Sequence, residues 1–561
     1  MSAPVTDAVF DAIVVGSGLT GGWAAKELTE RGLKTLVLER GEDLSPAQEP
    51  CVKPADPSEL LRLYEAEYFI QSKNYIFSEQ TRHLFNNDKR YPYSRNARRP
   101  FNWFRLNVLG GKSVLWGGGA YRWSDLDFRA NAADGHGVDW PIRYADLEKW
   151  YSYVESFIGV SGLREDYPGL EDGELLPPMA FTEVERAFRA AMLANFDDRI
   201  LTIGRTAVIT ENHGGRAAYK SFPPNTPVYL TDALFSSRSS TLPAARNTGN
   251  LTLRTHAIVE RVAYDPGRRR VVGVQLMDEQ SGRRELIGAK LVFLCASTIA
   301  TTQILLQSSC EAFPNGLANS SGVLGRYLMD HFGLVCATGL RAGLAFRGHR
   351  NHNINRPTIA HIPRFRNVRG REACSFVRGY GFIGWEGPAE NACAQGGMSC
   401  AEEATVEMRD AAAFTLMGFG ECLPYADNCV ALDQHNTDRF GQPLVKINFR
   451  FGANEEMMAQ DMATQACHML SVGGFTAVRK FAVNLSTGGD TIHEMGTARM
   501  GHDPARSVLN GKNQCHDIPN LFITDGACMT SSSNIHPSLT YMALTARACE
   551  YAAALLKCAA I

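Results

Sequence analysis

The sequence has no long apolar run, no excess of charge of one sign and no paired-cysteine motif, and each absence excludes a class of protein. Its apolar stretches, such as AAAFTLMGFG, are well short of the roughly 20 residues that a membrane-spanning helix requires. A formal net charge of -2 gives no electrostatic reason to expect nucleic acid or an acidic membrane surface as a partner. The 14 cysteines form no CxxC pair, haem site or regular zinc spacing, which favours reduced and mostly buried thiols.

The N-terminal segment and the length set the broad organisation. MSAPVTDAVFDAIVVGSG contains no basic leader, apolar signal core or twin arginine, so we expect a cytoplasmic protein without a signal peptide. At 561 residues the chain exceeds what one hydrophobic core usually organises. We therefore expect two domains, or one large domain with an elaborate second lobe.

The segment FDAIVVGSGLTGGWAAKELTERGLKTLVLERG predicts a strand, a glycine turn, a helix and a second strand. Apolar residues run from 10 to 15, a helical stripe follows at Ala24, Ala25 and Leu28, and the second strand covers 35–38. Agreement among these elements favours a dinucleotide-binding unit over a tight turn that binds nothing.

The turn of this unit has the spacing GxGxxG, and an acidic residue follows the second strand. Gly16 permits the tight turn, Gly18 lets the backbone approach a pyrophosphate, and Gly21 lets helix and sheet pack closely. The helix N-terminus offers free N–H groups and a positive dipole to phosphates. Glu39 can accept ribose hydroxyl hydrogen bonds and disfavours a 2′-phosphate, which leaves FAD or NAD.

A second glycine-rich run, FNWFRLNVLGGKSVLWGGGAYRW, favours a flat ligand. Its glycines, which include Gly110, Gly111 and Gly117, let the backbone come flush against such a ligand. The alternative is a mobile surface loop, but exposed flexible loops seldom carry three tryptophans. The later segments NLTLRTHAIVERVAYD, VVGVQLM, LVFLCASTIATTQILLQSS and NLFITDGACMT predict strands and a helix that complete one α/β domain.

Two histidines near the C-terminus are candidates for acid–base chemistry: His493 in TIHEMGTARMGHD and His536 in SSSNIHPSLTYMALTARACEYAA. Pro537 is a favourable first helical residue, and helical spacing continues after it. Oxidation of an alcohol by hydride transfer requires a base for the hydroxyl proton, and imidazole serves at neutral pH. The alternative for either histidine alone is a surface residue or a satisfied hydrogen-bond partner, which is our interpretation of His502 and His516.

Together these segments resemble the glucose-methanol-choline (GMC) family of flavin oxidoreductases, from GSGLTGG near the N-terminus to HPSLT near the C-terminus. The similarity is strongest to a sugar-acting bacterial branch that includes glucoside 3-dehydrogenase large subunits, and it extends to pyranose oxidase. It is carried by RYPYSRNARRPFNWFRLNVLGGKSVLWGGGAYRWSDLDF, DGHGVDWPIRYADLEKWYSYVE, STLPAARNTGNLTLR and HEMGTARMG, and it covers nearly the whole chain.

The resemblance implies an α/β protein in which a Rossmann-like FAD-binding domain is joined to an α+β substrate-binding lobe built on an antiparallel sheet. The expected FAD-binding segments are 1–125, 246–330 and 476–561, and the expected substrate-binding segments are 126–245 and 331–475. SFVRGYGFIG and the hairpin NCVALDQHNTDRFGQPLVKINF suit a sheet that roofs the flavin. Trp385, Tyr380 and Gln303 are candidate sugar contacts, with ordinary packing as the favoured alternative for each.

The resemblance also implies non-covalent FAD and assigns residues to it. Expected at the pyrophosphate, ribose and adenine are Gly16, Gly18, Gly21, Glu39 and the backbone of Val259. Expected along the isoalloxazine and the ribityl phosphate are Gly110, Gly111, Ser113, Gly117, Asp525 and Gly526, with Ala296 and Pro537 completing the set. His493 and His536 are expected at the two catalytic positions beside flavin N5.

Three departures from the family pattern affect these expectations. His536 stands where closer relatives mostly carry asparagine, so which imidazole acts as the base stays open. Leu115 occupies the place of the flavin-linking histidine of pyranose oxidase, which is why a covalent bond is not expected. GGRAAYKSFPPNTPVYLTDALF lacks the cysteines that hold an iron–sulfur cluster in dehydrogenase relatives, so neither a cluster nor another metal is expected.

The function that the resemblance implies is FAD-dependent oxidation of a secondary ring hydroxyl, C3 first among them, of a sugar or glycoside. A histidine would abstract the hydroxyl proton as hydride passes to N5, and the electrons would leave to oxygen, a quinone or cytochrome c. The alternatives are a pyranose or glycoside oxidase that produces hydrogen peroxide, and a non-catalytic flavin subunit that relays electrons. A small partner subunit is a further expectation, with periplasmic co-export beside it as the alternative location.

Overall fold

Two β-sheets organise the fold, one mostly parallel and one antiparallel. The computed structural model of the chain describes residues 5–44, 56–219, 231–346, 357–368, 374–390 and 410–561. Its α-helices are α1 (Leu19–Glu30), α2 (Pro57–Glu67), α3 (Asp125–Phe128), α4 (Ala130–Asp134), α5 (Tyr144–Ile158), α6 (Glu183–Asn195), α7 (Leu242–Asn247), α8 (Thr298–Gln307), α9 (Ala453–Val472) and α10 (Ser538–Lys557). Within these ranges no helix combines the length and the apolarity needed to cross a membrane.

The first sheet brings together strands that are far apart in the sequence. It consists of β1 (Val5–Val15), β2 (Thr35–Leu38), β6 (Leu251–Arg254), β7 (Ala257–Asp265), β8 (Arg270–Asp278), β9 (Arg284–Leu294) and β17 (Leu521–Ile523). The strand order is β6-β2-β1-β9-β8-β7, and β17 also pairs with β9. Pairs among β6, β2, β1, β9 and β17 are parallel, whereas β8 is antiparallel to both of its neighbours, β7 and β9.

This sheet confirms the α/β fold class and the strand–helix–strand unit read from the sequence. The predicted second strand coincides with β2, while β1 begins five residues before the predicted start at 10 and ends where predicted. The predicted stripe of Ala24, Ala25 and Leu28 is fully buried between the sheet and α10. Because β1, β9 and β17 are parallel, the residues that follow them meet at one edge of the sheet, which is where open α/β sheets bind ligands.

The second sheet, here called the roof sheet, is antiparallel. It consists of β5 (Thr202–Ile203), β10 (Phe332–Ala342), β11 (Ala360–Ile362), β12 (Tyr380–Pro388), β13 (Ala411–Gly420) and β16 (Thr476–Lys480), in the order β16-β10-β13-β12-β11-β5. The predicted hairpin forms β14 (Cys429–Thr437) and β15 (Pro443–Asn448), but these make a sheet of their own. The expectation that this hairpin joins the roof is therefore wrong, since among the described residues its strands form a ladder with each other, single bridges to Arg326 and Ser94, and no pairing with a roof strand. A short pair of β3 (Val160–Ser161) and β4 (Leu175–Leu176) is also separate.

One face of the roof sheet is closed by α9. A Cβ added at Gly418 would lie 2.1 Å from the Sδ of Met462, so helix and sheet are in direct contact there. Tyr380 donates its hydroxyl to Asp461 on the same helix at 2.5 Å and is fully buried. Tyr380 thus has the ordinary packing role that was its favoured alternative. The domain boundaries stay a prediction, although β16 extends the roof sheet past residue 475.

A buried ion network fixes the end of the roof sheet. Glu421 is fully buried directly after β13 and accepts from Arg364 at 2.8 Å and from Arg378 at 3.3 Å. Arg378 also pairs with Asp134. Both arginines are less than 8 % exposed, so the Glu421 carboxylate is a principal counter-charge for two desolvated guanidinium groups.

We predict that Glu421→Ala lowers the free energy of unfolding by about 3–5 kcal/mol, because removal of one partner leaves buried charge uncompensated. Urea denaturation followed by tryptophan fluorescence would measure this loss. Glu550→Ala, at an exposed position of α10, is the matched control and should change stability by less than about 0.5 kcal/mol. Equal stability of the two variants would contradict the inferred role of the network.

Candidate active site

In the first glycine turn, Gly16 and Gly21 lie so close to neighbouring backbone that neither position has room for a side chain. Gly16 has φ +95°, and a Cβ on it would lie 2.5 Å from the carbonyl oxygen of Cys295. A Cβ on Gly21 would lie 1.9 Å from the carbonyl oxygen of Gly16. Gly18 caps α1 without a side-chain hydrogen bond, so the first N–H groups of that helix are left for a ligand.

Glu39 sits at the end of β2 and braces this turn. Its carboxylate accepts from the backbone N and the hydroxyl of Ser17 and, at 2.7 Å, from the N of Gly41. Burial raises the pKa of Glu39, while these hydrogen bonds oppose the rise. A carboxylate oxygen has two acceptor sites; Oε2 accepts both Ser17 bonds and Oε1 accepts only the Gly41 bond, so one site is left for a ribose hydroxyl. The N of Ala257 donates to the Glu39 carbonyl, which brings β7 and Val259 to the same corner.

The second glycine run lies directly on the first, although about 90 residues separate them. The N of Gly110 donates to the hydroxyl of Ser17 at 2.9 Å, and Gly110 and Gly111 both have positive φ. Ser113 donates to the Gly110 carbonyl at 2.6 Å and fixes the loop. A Cβ built on Gly117 meets no atom within 4 Å, so space is open beside this end of the loop.

The third segment predicted to contact the cofactor follows β17. The carboxylate of Asp525 accepts from Thr301 at 2.5 Å, and burial raises the pKa of Asp525 to about 6. A Cβ on Gly526 would lie 2.4 Å from the carbonyl oxygen of Glu494, so this segment packs on the one that carries the histidine. The hydroxyl of Tyr541 is buried here, and the described residues offer it no hydrogen-bond partner.

Ala296 and Pro537 complete the placement of the predicted cofactor residues. Ala296 follows β9, and its Cα would lie 3.0 Å from a Cβ on Gly16. Pro537 is the N-cap of α10, which begins at Ser538, so the predicted first helical residue lies one position too early. The structure thus gathers the predicted glycines, Glu39, Asp525 and both helix N-termini around one cleft.

His493 and His536 meet, as their predicted shared role requires. Their ring centroids are 5.2 Å apart and the rings are nearly perpendicular, at 77°. Both side chains are half-buried rather than fully enclosed. Of the other two histidines considered, His502 is exposed and His516 hydrogen-bonds through Nε2 to the hydroxyl of Ser507. Neither lies at this cluster.

A third histidine, His331, decides the proton pattern of the pair. Its Nε2 lies 2.9 Å from the carbonyl oxygen of Ser532, and a carbonyl can only accept, so Nε2 carries the proton. A neutral His331 then has a bare Nδ1, which lies 2.9 Å from the Nδ1 of His493. His493 must donate from Nδ1, and its Nε2 is left with a free lone pair. This tautomer assignment follows from the hydrogen-bond pattern.

Burial keeps all three imidazoles neutral near pH 7. It lowers the pKa of His331 to about 4 and that of His536 to about 4, the latter helped by the nearby His331. The pKa of His493 is lowered well below 6.5 by burial and then by His331, His536 and Lys112. Lys112, from the second glycine run, is itself paired with Glu494 at 2.7 Å. The site therefore presents neutral imidazole rings, which can accept protons.

Two aromatic rings frame the histidine pair. Tyr121 stacks on His536 with centroids 5.6 Å apart, and Phe419 of the roof sheet lies 5.6 Å from His536 and 6.2 Å from His493. The ring centroid of His361 lies 4.9 Å from that of Tyr121. Sequence reasoning missed these residues and His331, because no motif marks them and only the pairing of distant strands brings them to the site.

The cleft fits a dinucleotide with a flat ring system. Two glycine turns with positive φ, an uncapped helix N-terminus, a buried carboxylate and the unpartnered Tyr541 hydroxyl are the groups that such a ligand needs. Among the residues that the structure describes, no group of three or more His, Cys, Asp or Glu side chains is arranged to hold a metal ion. The segment predicted to lack an iron–sulfur cluster lies partly outside the described residues. The absence of a cluster therefore stays a prediction.

Comparison with known proteins is consistent with this geometry. GMC oxidoreductase family models match residues 205–333 and 424–545, and a model described as an NAD(P)-binding Rossmann-like domain matches 14–75. The chain is 28% identical to 2-methyl-1,2-propanediol dehydrogenase of Mycolicibacterium austroafricanum, over 96% of this chain and 94% of that one. It is 23% identical to the fructose dehydrogenase large subunit of Gluconobacter japonicus, over 96% and 97%.

Two further matches are a relative aligned over part of its length and a solved structure. C-glycoside 3-oxidase of Microbacterium trichothecenolyticum is 23% identical over 55% of each chain. The fold is similar to that of a formate oxidase of Aspergillus oryzae in which FAD modification was studied, with a TM-score of 0.61 and 14% identity over 98% of this chain and 99% of that one. Flavin binding is the cofactor property that these matches imply.

We predict that Gly21→Ala abolishes flavin binding, because the added Cβ would displace the Gly16 carbonyl and open the phosphate-binding turn. The ratio of visible flavin absorbance to protein absorbance in the purified variant measures this. Gly282→Ala, in an exposed turn where an added Cβ meets nothing within 4 Å, should keep the flavin. A yellow Gly21→Ala protein would show that the turn does not hold the cofactor.

Proposed function

The chain belongs to the GMC oxidoreductase family, and we propose that it oxidises a secondary ring hydroxyl, C3 first among them, of a sugar or glycoside with non-covalent FAD as cofactor. The observation that carries the proposal is the hydrogen-bonded row from Ser532 through His331 to His493. It leaves a lone pair on His493 Nε2 beside a second neutral imidazole, at the edge of a cleft built for a dinucleotide.

His493 is the base in this proposal. Its Nε2 takes the hydroxyl proton of the substrate as the C–H bond breaks, and the charge that develops on the ring is shared through Nδ1 with His331. His536 holds the same hydroxyl oxygen from a second direction and orients the carbinol carbon. Bound flavin supplies the acceptor for the hydride.

The residues around the second glycine run support a flavin held without a covalent bond. Leu115, in the position where a linking histidine would stand, is buried in an apolar cluster with Val108 and Val114. Hydrogen bonds of Gly110 with the Ser113 and Ser17 hydroxyls fix the loop instead. Neither hydrogen bond requires a bond to the flavin ring.

The substrate class and the acceptor rest on the relatives. The names fructose dehydrogenase large subunit and C-glycoside 3-oxidase support a sugar-like alcohol and position C3. The words 'large subunit' in the first name support a partner protein for this chain, with a small subunit or cytochrome c as the electron acceptor. The second name supports the alternative in which oxygen is the acceptor and hydrogen peroxide forms. The paired histidines speak against the other alternative, a flavin subunit that only relays electrons.

The test is anaerobic bleaching of the flavin by a panel of sugars and glycosides, followed by reoxidation with air, a quinone or cytochrome c. We predict that His493→Ala slows bleaching about 10²–10⁴-fold while the protein stays yellow, because the proton acceptor is lost. His502→Ala, at an exposed histidine, should bleach at the wild-type rate. Bleaching of His493→Ala at the wild-type rate would show that His493 is not the base, whereas a wild-type flavin that no alcohol bleaches would favour the electron-relay alternative.

We also predict that kcat/KM falls on the acid side only well below pH 6.5. The pKa of His493 is lowered, so the ring is less protonated at any given pH and the active neutral form persists into more acidic solution. A pH profile of kcat/KM, with flavin absorbance recorded at each pH to exclude cofactor loss, measures this. A half-maximal point at 6.5 would contradict the inferred environment of His493.

A further inference from the structure

The roof sheet has a second face, opposite α9, which we call the inner face. Residues paired across antiparallel strands project to the same side, and Phe419 is paired with Gly333 of β10 and with Gly381 of β12. Alternation along the strands then gives the members of the inner face in β10 to β13: Gly333, Val335, Thr338, Leu340, Ala342, His361, Gly381, Ile383, Trp385, Gly387, Ala411, Ala413, Thr415, Met417 and Phe419.

The inner face looks into the active site at two separate points. Phe419 lies against both His493 and His536. His361, paired with Ile383 two strands away, reaches His536 through the ring of Tyr121. The residues between these two points, which belong to β12, must therefore border the space above the histidines.

Exposure separates the two faces of the sheet. On the outer face Phe382, Phe414 and Leu416 are fully buried against the rest of the core. On the inner face the large apolar side chains are only half-buried, and Val335 is 37% exposed; the half-buried ones are Leu340, Ile383, Trp385, Met417 and Phe419. The inner face therefore lines a cleft, because side chains of this size would be covered if it were core.

The inner face of β10 to β13 carries no carboxylate, ammonium or guanidinium group. Its single titratable side chain, His361, is neutral because burial lowers its pKa to about 3. Its ring nitrogens make no hydrogen bond within the described residues, although the Phe382 backbone is near enough to raise the pKa slightly. Nearby Arg205 is paired with Asp172. A charged substrate would find no counter-ion on β10 to β13, and such a charge is costly to desolvate. Beyond β10, Arg479 of the edge strand β16 is paired with Thr338 and projects to the same face, with its guanidinium over the ring of Phe481.

The length of this apolar row exceeds what one sugar ring covers. Trp385 lies four residues along β12 from Gly381, the partner of Phe419, which is about 13 Å at the rise of an antiparallel strand. The row therefore runs from the histidines to a half-buried indole at its far end. Aromatic surfaces of this kind stack on flat apolar groups and on the apolar faces of sugars.

We infer that the substrate is an uncharged glycoside whose apolar aglycone lies along Met417 and Ile383 and ends against Trp385, while its sugar ring faces the histidines. This inference rests on the proposed function and narrows it, since free sugars, sugar acids and amino sugars would leave the far half of the row uncovered or bring an uncompensated charge. In this inference Trp385 determines specificity for the aglycone. It is one of the three residues that the sequence marked as candidate sugar contacts.

The test compares phenyl and methyl β-glucosides and β-galactosides, with glucuronate and glucosamine as charged probes, in anaerobic flavin bleaching by the holoenzyme. Wild type should half-saturate at least about tenfold lower with the phenyl than with the methyl glycoside. Trp385→Ala should shrink that ratio to near one, and Trp385→Phe should restore most of it. Glu386→Ala changes the neighbouring residue, which projects to the outer face, and should leave the ratio as in wild type.

The outcomes distinguish failure of the inferred aglycone site from failure of the proposed function. Equal half-saturation by phenyl and methyl glycosides, an unchanged ratio in Trp385→Ala, or faster bleaching by glucuronate or glucosamine would overturn the inference and leave the proposed function standing. Bleaching by none of the alcohols would overturn the proposed function together with the inference. Flavin absorbance and thermal unfolding show whether each variant is folded. If Trp385→Ala does not fold, the ratio measured for Trp385→Phe tests the inference.

Discussion

The carbonyl oxygen of Ser532 is the group on which the site depends. It accepts a hydrogen bond and cannot donate one, so it sets the tautomer of His331, and His331 in turn sets that of His493. The free lone pair of His493 is thus determined by a backbone carbonyl that it does not itself contact. The segment that supplies this carbonyl also carries His536, so one loop places one imidazole and orients the other.

Close packing of backbone at glycines joins the segments that build the cleft. The turn after β1 touches the end of β9, the second glycine run bonds to Ser17, and the segment after β17 rests on the one that carries His493. Each contact would be blocked by a Cβ or depends on a positive φ. Parallel pairing of β1, β9 and β17 delivers all of these turns to one edge, so the sheet topology and the glycines together define the site.

Local signals were enough to predict the dinucleotide unit. The spacing of apolar residues fixed β2 to the residue, and the glycines, Glu39 and both motif histidines were found because each lies in a short, chemically constrained segment. His331, Tyr121, Phe419 and His361 were not found, since their roles depend on strand register and on stacking between distant segments. For the same reason the hairpin of β14 and β15 was assigned to the wrong sheet: alternation shows that strands exist, and not which strands they join.

The neutral imidazoles have a consequence for the fold in acid. In the unfolded chain a histidine takes up a proton near pH 6.5, whereas His331 and His536 in the native protein stay unprotonated until about pH 4. Between these values the unfolded state binds more protons than the native state. Each ring therefore lowers the free energy of unfolding by about 1.4 kcal/mol for every unit by which the pH falls. A pocket that keeps its imidazoles unprotonated in acidic solution therefore lowers the stability of the folded protein there.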